Sequence, residues 1–220
     1  MAGLRDVNKA KRRGAILDAT VELLEHRSSG EVTTEEIAAH AGVAPATVYN
    51  LIGTRDDVLR AVVGRILADL AASLEQLDPT DPIAAAELVV DQTVEAFVAD
   101  SAAFRQIVRL APQASSVGSE LVDPSEFQVA AMRQAQRLGL LRADIDAAGL
   151  GRQIYLSYSG ALTLWSAGRL DDEGFSTAAR LGLFTALAAA AIDSERERFL
   201  EQVRVLGTTL ERDRWRRGTA

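Results

Sequence analysis

Residues 33–51 read Thr-Thr-Glu-Glu-Ile-Ala-Ala-His-Ala-Gly-Val-Ala-Pro-Ala-Thr-Val-Tyr-Asn-Leu. Glu36 follows Thr33 by three residues, the spacing of a capping box in which side chain and backbone satisfy each other reciprocally. Ile37 and Ala41 stand four apart, so a helix turns both to one side. Ala38 is small enough for a second helix to cross closely. Gly42 comes where the helix must end, at a position that calls for positive φ. Val43 offers the turn an apolar anchor. Pro45 suits the first turn of a new helix, where its missing N–H would be unpaired anyway. Val48 and Leu51 form the inner side of that helix. The stretch predicts a helix-turn-helix.

The residues left for the outer side are Ala46, Thr47, Tyr49 and Asn50, with Ala44 and Pro45 at the opening. No carboxylate occurs from Gly42 to Gly53. A helix in the major groove must keep negative charge away and present donors to phosphates and base edges. Thr47 and Asn50 can hydrogen-bond to bases, and the Tyr49 hydroxyl can reach a phosphate. Helix N-termini add unpaired N–H groups suited to phosphate.

The flanking sequence continues the helical pattern. Helices are expected near 6–27, 33–40, 45–51, 54–77, 82–100, 101–111, 124–138, 146–168, 172–192 and 194–215, and no strand signal intervenes. Arg27-Ser28-Ser29-Gly30 ends the first. Capping-box spacing recurs at Thr54/Asp57, Asp123/Glu126 and Ser194/Glu197. Pro79, Pro82 and Pro124 each follow an aspartate and are expected to open helices.

Composition narrows the function classes. The chain has 220 residues, no cysteine, two histidines and a net charge of −7. The absence of cysteine excludes a disulfide framework, a thiolate nucleophile and a zinc–thiolate site. No Ser-His-Asp arrangement, HExxH or phosphate-cradling glycine loop is evident, so no catalytic residue, metal site or cofactor is expected. His26 and His40 lie near helix C-terminal ends, where they suit the dipole. No stretch reaches the ~20 apolar residues of a membrane-spanning helix, and no apolar core follows the basic N-terminus. A cytoplasmic protein without membrane attachment is expected. An acidic chain is a poor match for nucleic acid until the charge is located. Residues 1–65 hold nine basic and nine acidic residues, so the whole −7 lies beyond them. Lys9, Lys11, Arg12 and Arg13 make the extreme N-terminus locally basic.

Together Ile16, Ala19, Thr33, Ile37, Ala38, Ala41, Gly42, Val43, Thr47, Val48, Tyr49, Thr54, Arg55, Val58 and Leu59 resemble the N-terminal domain of the tetracycline-repressor (TetR) family of bacterial transcription regulators. The resemblance covers about residues 10–65. It implies an all-α fold, with an N-terminal three-helix helix-turn-helix domain and a larger C-terminal helical ligand-binding and dimerisation domain. Domain limits of 1–53 and 54–220 follow. It further implies a homodimer that binds a palindromic double-stranded DNA operator and releases it on binding a small-molecule effector. Three departures stand out. Ala44 cannot supply a side-chain cap where the family often has Ser or Thr. Leu51-Ile52 replaces a frequent His-Phe, and Arg55 replaces a usual Lys.

The expected DNA-contacting residues are Lys9, Arg12, Arg13, Thr33, Thr34, Ala44, Pro45, Ala46, Thr47, Tyr49, Asn50 and Arg55. Ala178, Gly182, Ala186 and Ala190 recur every four residues and share a helix face. With Gly160 they are the expected homodimer interface, an internal helix crossing being the alternative. The expected effector-pocket liners are Phe97, Phe104, Phe127, Met132, Tyr155, Tyr158 and Trp165, with Gln128 and Gln134 as polar handles and a neutral or weakly charged apolar effector. Ordinary core packing is the alternative for each aromatic. For the whole chain, the alternative is a helical binding or interaction module that has lost specific DNA binding.

Overall fold

The computed structural model describes residues 4–27, 32–110 and 123–213. Ten helices follow one another among these residues: α1 (Leu4–Glu25), α2 (Thr34–His40), α3 (Pro45–Leu51), α4 (Arg55–Leu74), α5 (Pro82–Ala99), α6 (Ser101–Leu110), α7 (Ser125–Arg137), α8 (Ala147–Ser166), α9 (Asp172–Ala190) and α10 (Asp193–Asp213). The described residues form no strand. An isolated antiparallel bridge joins Leu141 to Ala191. The Ser28-Ser29-Gly30 terminator and the last two residues expected of the final helix lie outside the described residues.

Several helix ends differ from the sequence expectation. Pro82 does open α5, with Asp81 Oδ1 accepting from the Ala84 N–H at 2.9 Å. Pro79 opens no helix. It sits in a turn whose Asp78 carboxylate accepts from the Thr80 backbone N–H and hydroxyl. Aspartate at the start of such a turn competes with helix initiation because its side chain bonds two residues ahead. Asp123 likewise accepts from Ser125 N–H, two residues on, while Pro124 occupies the N-cap. The last helix begins at Asp193, which places Ser194 inside its first turn and not at a cap.

The chain forms two compact units, Met1–Ile66 with Phe97–Ser116, and Leu67–Ala96 with Val117–Ala220. In the first, Ile16, Leu24, Ile37, Ala38, Val48, Val58 and Leu59 are wholly buried. These are the inward positions of α1 to α4, and their spacing by three or four residues is what makes each helix one-sided. α6 also belongs to this unit. The Gln106 amide donates to the carbonyls of Leu24 (2.8 Å) and Arg27 (3.1 Å), beyond which α1 has no further helical donors. In return, Glu25 Oε2 accepts from the Ala103 N–H in the first turn of α6 at 2.8 Å. Each helix thus satisfies an end of the other, which intrahelical bonds cannot do.

In the second unit, Trp165 stacks on Phe175 with centroids 5.1 Å apart, and Tyr158 tilts against the same ring at 5.7 Å. Such aromatic pairs add about 0.5–1.5 kcal/mol beyond their buried area. Trp165 is completely buried and its Nε1–H donates to Asp172 Oδ1 at 2.7 Å. Arg180 Nη1 donates to both oxygens of Asp91 at 2.7 Å, tying α9 to α5.

Candidate functional site

The helix-turn-helix is built by two locks. Thr33 Oγ1 accepts from the Glu36 N–H at 3.2 Å, and Glu36 Oε2 accepts from the Thr33 N–H at 2.8 Å. Arg27 adds a 3.0 Å bond to the same carboxylate oxygen. The Arg27 bond first, and the Thr33 N–H second, hold the Glu36 carboxyl at a pKa of about 2. At the other end of α2, Gly42 has φ +66°. Its N–H donates to Ala39 O and the Val43 N–H to Ala38 O, so the helix closes in a Schellman turn. This turn aims α3.

α3 starts without a side-chain cap, because Ala44 has no side-chain acceptor. Its inner side is Val48, fully buried, with Thr47 and Leu51 half-buried. Ala44, Pro45, Ala46, Tyr49 and Asn50 are exposed, Tyr49 to 50%. Six of the expected DNA-contacting residues therefore share this short segment, and only Thr47 is partly withdrawn. Lys9, Arg12 and Arg13 are exposed on the N-terminal half of α1, ahead of its first buried residue, Ile16.

Three expected contacts stand differently. Thr34 is only 5% exposed, so its side chain belongs to the core of the unit and leaves only its backbone near the surface. The Thr33 hydroxyl is already engaged with Glu36. Arg55 donates from Nε (3.0 Å) and Nη2 (2.8 Å) to Asp56 Oδ1. A phosphate would have to share that guanidinium with a carboxylate.

The expected effector liners divide between the two units. Phe97 and Phe104 lie in the first unit and pack edge to face, centroids 5.1 Å apart. Met132 and Trp165 are wholly buried in the second unit. Phe127 and Gln134 line a cavity of about 580 Å³ in the second unit, with the end of α4, the 75–82 turn, α5 and α7. A second cavity of about 340 Å³ lies among α5, α9 and α10, where Glu87, Arg180, Phe184, Arg198 and Phe199 meet. Burial raises the Glu87 carboxyl above the usual carboxylate range. Of the expected liners, Phe127 and Gln134 belong to the first cavity and none to the second; the part of the first cavity built by residues 75–82 escaped the sequence reading, since the Asp-Pro pairs at 78–79 and 81–82 read only as helix openers.

Two buried side-chain oxygens in the second unit lack a hydrogen-bond partner in the chain, Gln92 Oε1 on α5 and Gln128 Oε1 on α7. Burial pushes the Tyr158 phenol on α8 above its ordinary range, and a hydrogen bond with Thr93 opposes that shift.

The small-residue face on α8 and α9 divides. The exposed side of α8 carries Leu156, 61% exposed, together with Gly160 and Thr163. Ala178, Gly182 and Ala186 are part-exposed on α9, while Ala190 is buried. A Cβ on Gly182 would stand 2.2 Å from Ser157 Oγ. Gly182 thus serves the crossing of α8 and α9 within the chain, and Ala190 is likewise taken up internally.

Among the described residues no group of three or more His, Cys, Asp or Glu could hold a metal ion. No helix there is long and apolar enough to cross a membrane.

Residues 16–62 match the family described as bacterial regulatory proteins, tetR family. The HTH-type transcriptional regulator BetI of Brucella canis is 29% identical over 96 residues, 42% of this chain and 48% of that protein. The chain spans about half the length of the curated relatives it matches. Among solved structures, SmeT, the repressor of the Stenotrophomonas maltophilia multidrug efflux pump SmeDEF, superposes with a TM-score of 0.61 at 23% identity, over 83% of this chain and 92% of that one. A gamma-butyrolactone receptor described as ArpA-like gives a TM-score of 0.60 at 19% identity, over 92% and 99% of the two chains. These likenesses show the fold.

Proposed function

We propose that this chain, whose residues 16–62 match the tetR family of bacterial regulatory proteins, is a ligand-responsive transcriptional repressor that binds a palindromic operator as a homodimer. The observation that carries the reading is α3 itself: a short helix whose outer side is exposed, uncharged and rich in small or hydrogen-bonding residues, held at a fixed angle by the Gly42 turn. In this reading Tyr49 and the basic residues Lys9, Arg12 and Arg13 hold phosphates, while Ala46, Thr47 and Asn50 meet base edges. Residues 1–53 form the DNA-reading domain, and 54–220 the effector and dimer domain.

The outer face of α8 and α9, centred on Leu156 and Gly160, pairs with a second copy. A dimer presents two recognition helices about 34–36 Å apart, the spacing of adjacent half-sites. The buried side-chain oxygens of Gln92 and Gln128 support an effector role for the second unit. Related folds include one protein described as a repressor and another as a small-molecule receptor. Effector binding shifts α4, the continuous helix from Arg55 to Leu74 that runs out of the first unit into the second. It must bind the two states with different affinity for any release to follow.

Fluorescence anisotropy with the gene's own upstream DNA tests this. Saturable, salt-sensitive binding that random DNA does not compete away is expected. Equal affinity for random DNA would leave the helical binding module that has lost its operator.

A further inference from the structure

The cavity of about 580 Å³ has walls that specify a ligand class. Its apolar surface comes from residues such as Leu77, Phe127 and Ala131, and Gln134 supplies an amide. Every charged residue lining it is a carboxylate: Glu75, Asp78, Asp81 and Glu126. Neither Lys nor Arg lines it. This size and a mostly apolar wall with a few polar groups suit a small organic molecule.

The carboxylates differ in how far they are compensated. Asp81 caps α5, and Asp78 accepts from Thr80, which holds its carboxyl below the usual range and keeps it ionised. Glu126 approaches Arg133 and Arg152 only at 4.0 and 3.9 Å. Glu75 directly follows α4, whose last turn carries no basic residue. The negative end of the helix dipole therefore adds to the Glu75 charge. The mouth of this cavity favours positive charge, and its walls favour hydrocarbon.

We propose that the cavity binds a lipophilic organic cation, its apolar body against Phe127 and Leu77 and its cationic head beside Glu75 and Glu126. This rests on the effector reading only for its regulatory consequence; binding itself requires no DNA. It replaces the neutral effector expected from sequence composition with a charged one.

Three probes of similar length separate the terms: 4-phenylbutyl-trimethylammonium, 4-phenylbutan-1-ol and 5-phenylpentanoate, titrated calorimetrically into the intact protein. The cation should bind at least about tenfold more tightly than the alcohol, since several partly exposed charges each contribute a modest factor, and the anion most weakly. The double variant Glu75→Gln/Glu126→Gln, both positions at the surface, should erase most of that preference while leaving the melting curve unchanged. Phe127→Ala should weaken the cation and the alcohol alike. Equal binding of all three probes, tighter binding of the anion, or a preference that survives the double variant overturns the proposal, as does no binding of any probe. Operator release is measured separately. A cation that binds the cavity without releasing DNA upholds the site and refutes its effector role. Failure of DNA binding alone strikes the repressor reading and leaves the cavity assignment standing.

Discussion

The Thr33 backbone N–H donates to Glu36 Oε2 at 2.8 Å, and the Glu36 N–H donates back to Thr33 Oγ1 at 3.2 Å. This reciprocal pair fixes the start of α2 and so the platform on which α3 is mounted. Loss of one such cap in a chain of this size should lower the thermal midpoint by about 2–4 °C. Thr33→Ala is expected to show this by calorimetry, while Thr33→Ser keeps the acceptor and stays near the parent.

The same carboxylate gives an acid signature. Its pKa is lowered to about 2, chiefly by Arg27. A carboxyl whose folded pKa lies below its unfolded value stabilises the fold above the unfolded value, and that contribution disappears as pH falls through the folded one. The stability difference between parent and Glu36→Gln should therefore be full at about pH 5 and shrink towards about pH 2. Urea midpoints across that window measure it. A difference that is flat with pH would show that Glu36 is not held by this pair.

Gln106 is expected to be the most sensitive polar position of the first unit. Removing its amide takes that donor from the Arg27 carbonyl and leaves the Leu24 carbonyl with only the 3.3 Å bond from the Arg27 N–H, in a part-buried site. Such a loss costs about 1–3 kcal/mol. Gln106→Ala should fall in that range by urea unfolding. Gln106→Glu should be worse, because a carboxylate then faces two carbonyl oxygens.

Tyr49 is half exposed. Tyr49→Ala should leave the thermal midpoint unchanged and weaken operator binding across sequences without changing its salt dependence, since a neutral hydroxyl displaces no counterion. Tyr49→Phe separates hydroxyl from ring. Thr47→Ala should instead alter which operator is preferred, read by competition between mismatched sites.

The exposed side of α8 yields a prediction about assembly. Leu156→Arg places charge on a face that the homodimer reading buries, and a buried unpaired charge is strongly unfavourable. Sedimentation should then report a monomer with unchanged helicity. Gly182→Val should differ: it meets Ser157 within the chain, so it lowers stability by about 1–3 kcal/mol through overpacking.

Local chemistry made most of the helices legible. Thr33 and Glu36, Gly42, Pro45 and Val48 act within a few residues of one another, so their meaning survives without tertiary context. The helix opening expected at Pro79 and the cap expected at Asp123 failed for a related reason. An aspartate can serve a turn or a helix, and only the path of the following chain decides which. Arg55 and Thr34 carry the same lesson at the candidate interface. Residue type allowed both a phosphate contact, yet Asp56 and the core had prior claims on them.

By itself the sequence determined the all-helical architecture, the helix-turn-helix and the uncharged outer side of α3, because period, capping and turn chemistry are local. Tertiary structure decided the rest. It brought α6, some 80 residues distant, onto the end of α1 through Gln106 and Glu25. It turned Gly182 inward against Ser157. It also drew four carboxylates, three from residues 75–81 and one from α7, around one apolar cavity. Contacts between residues far apart in the chain are chosen by how whole helices pack, and no local pattern encodes that choice.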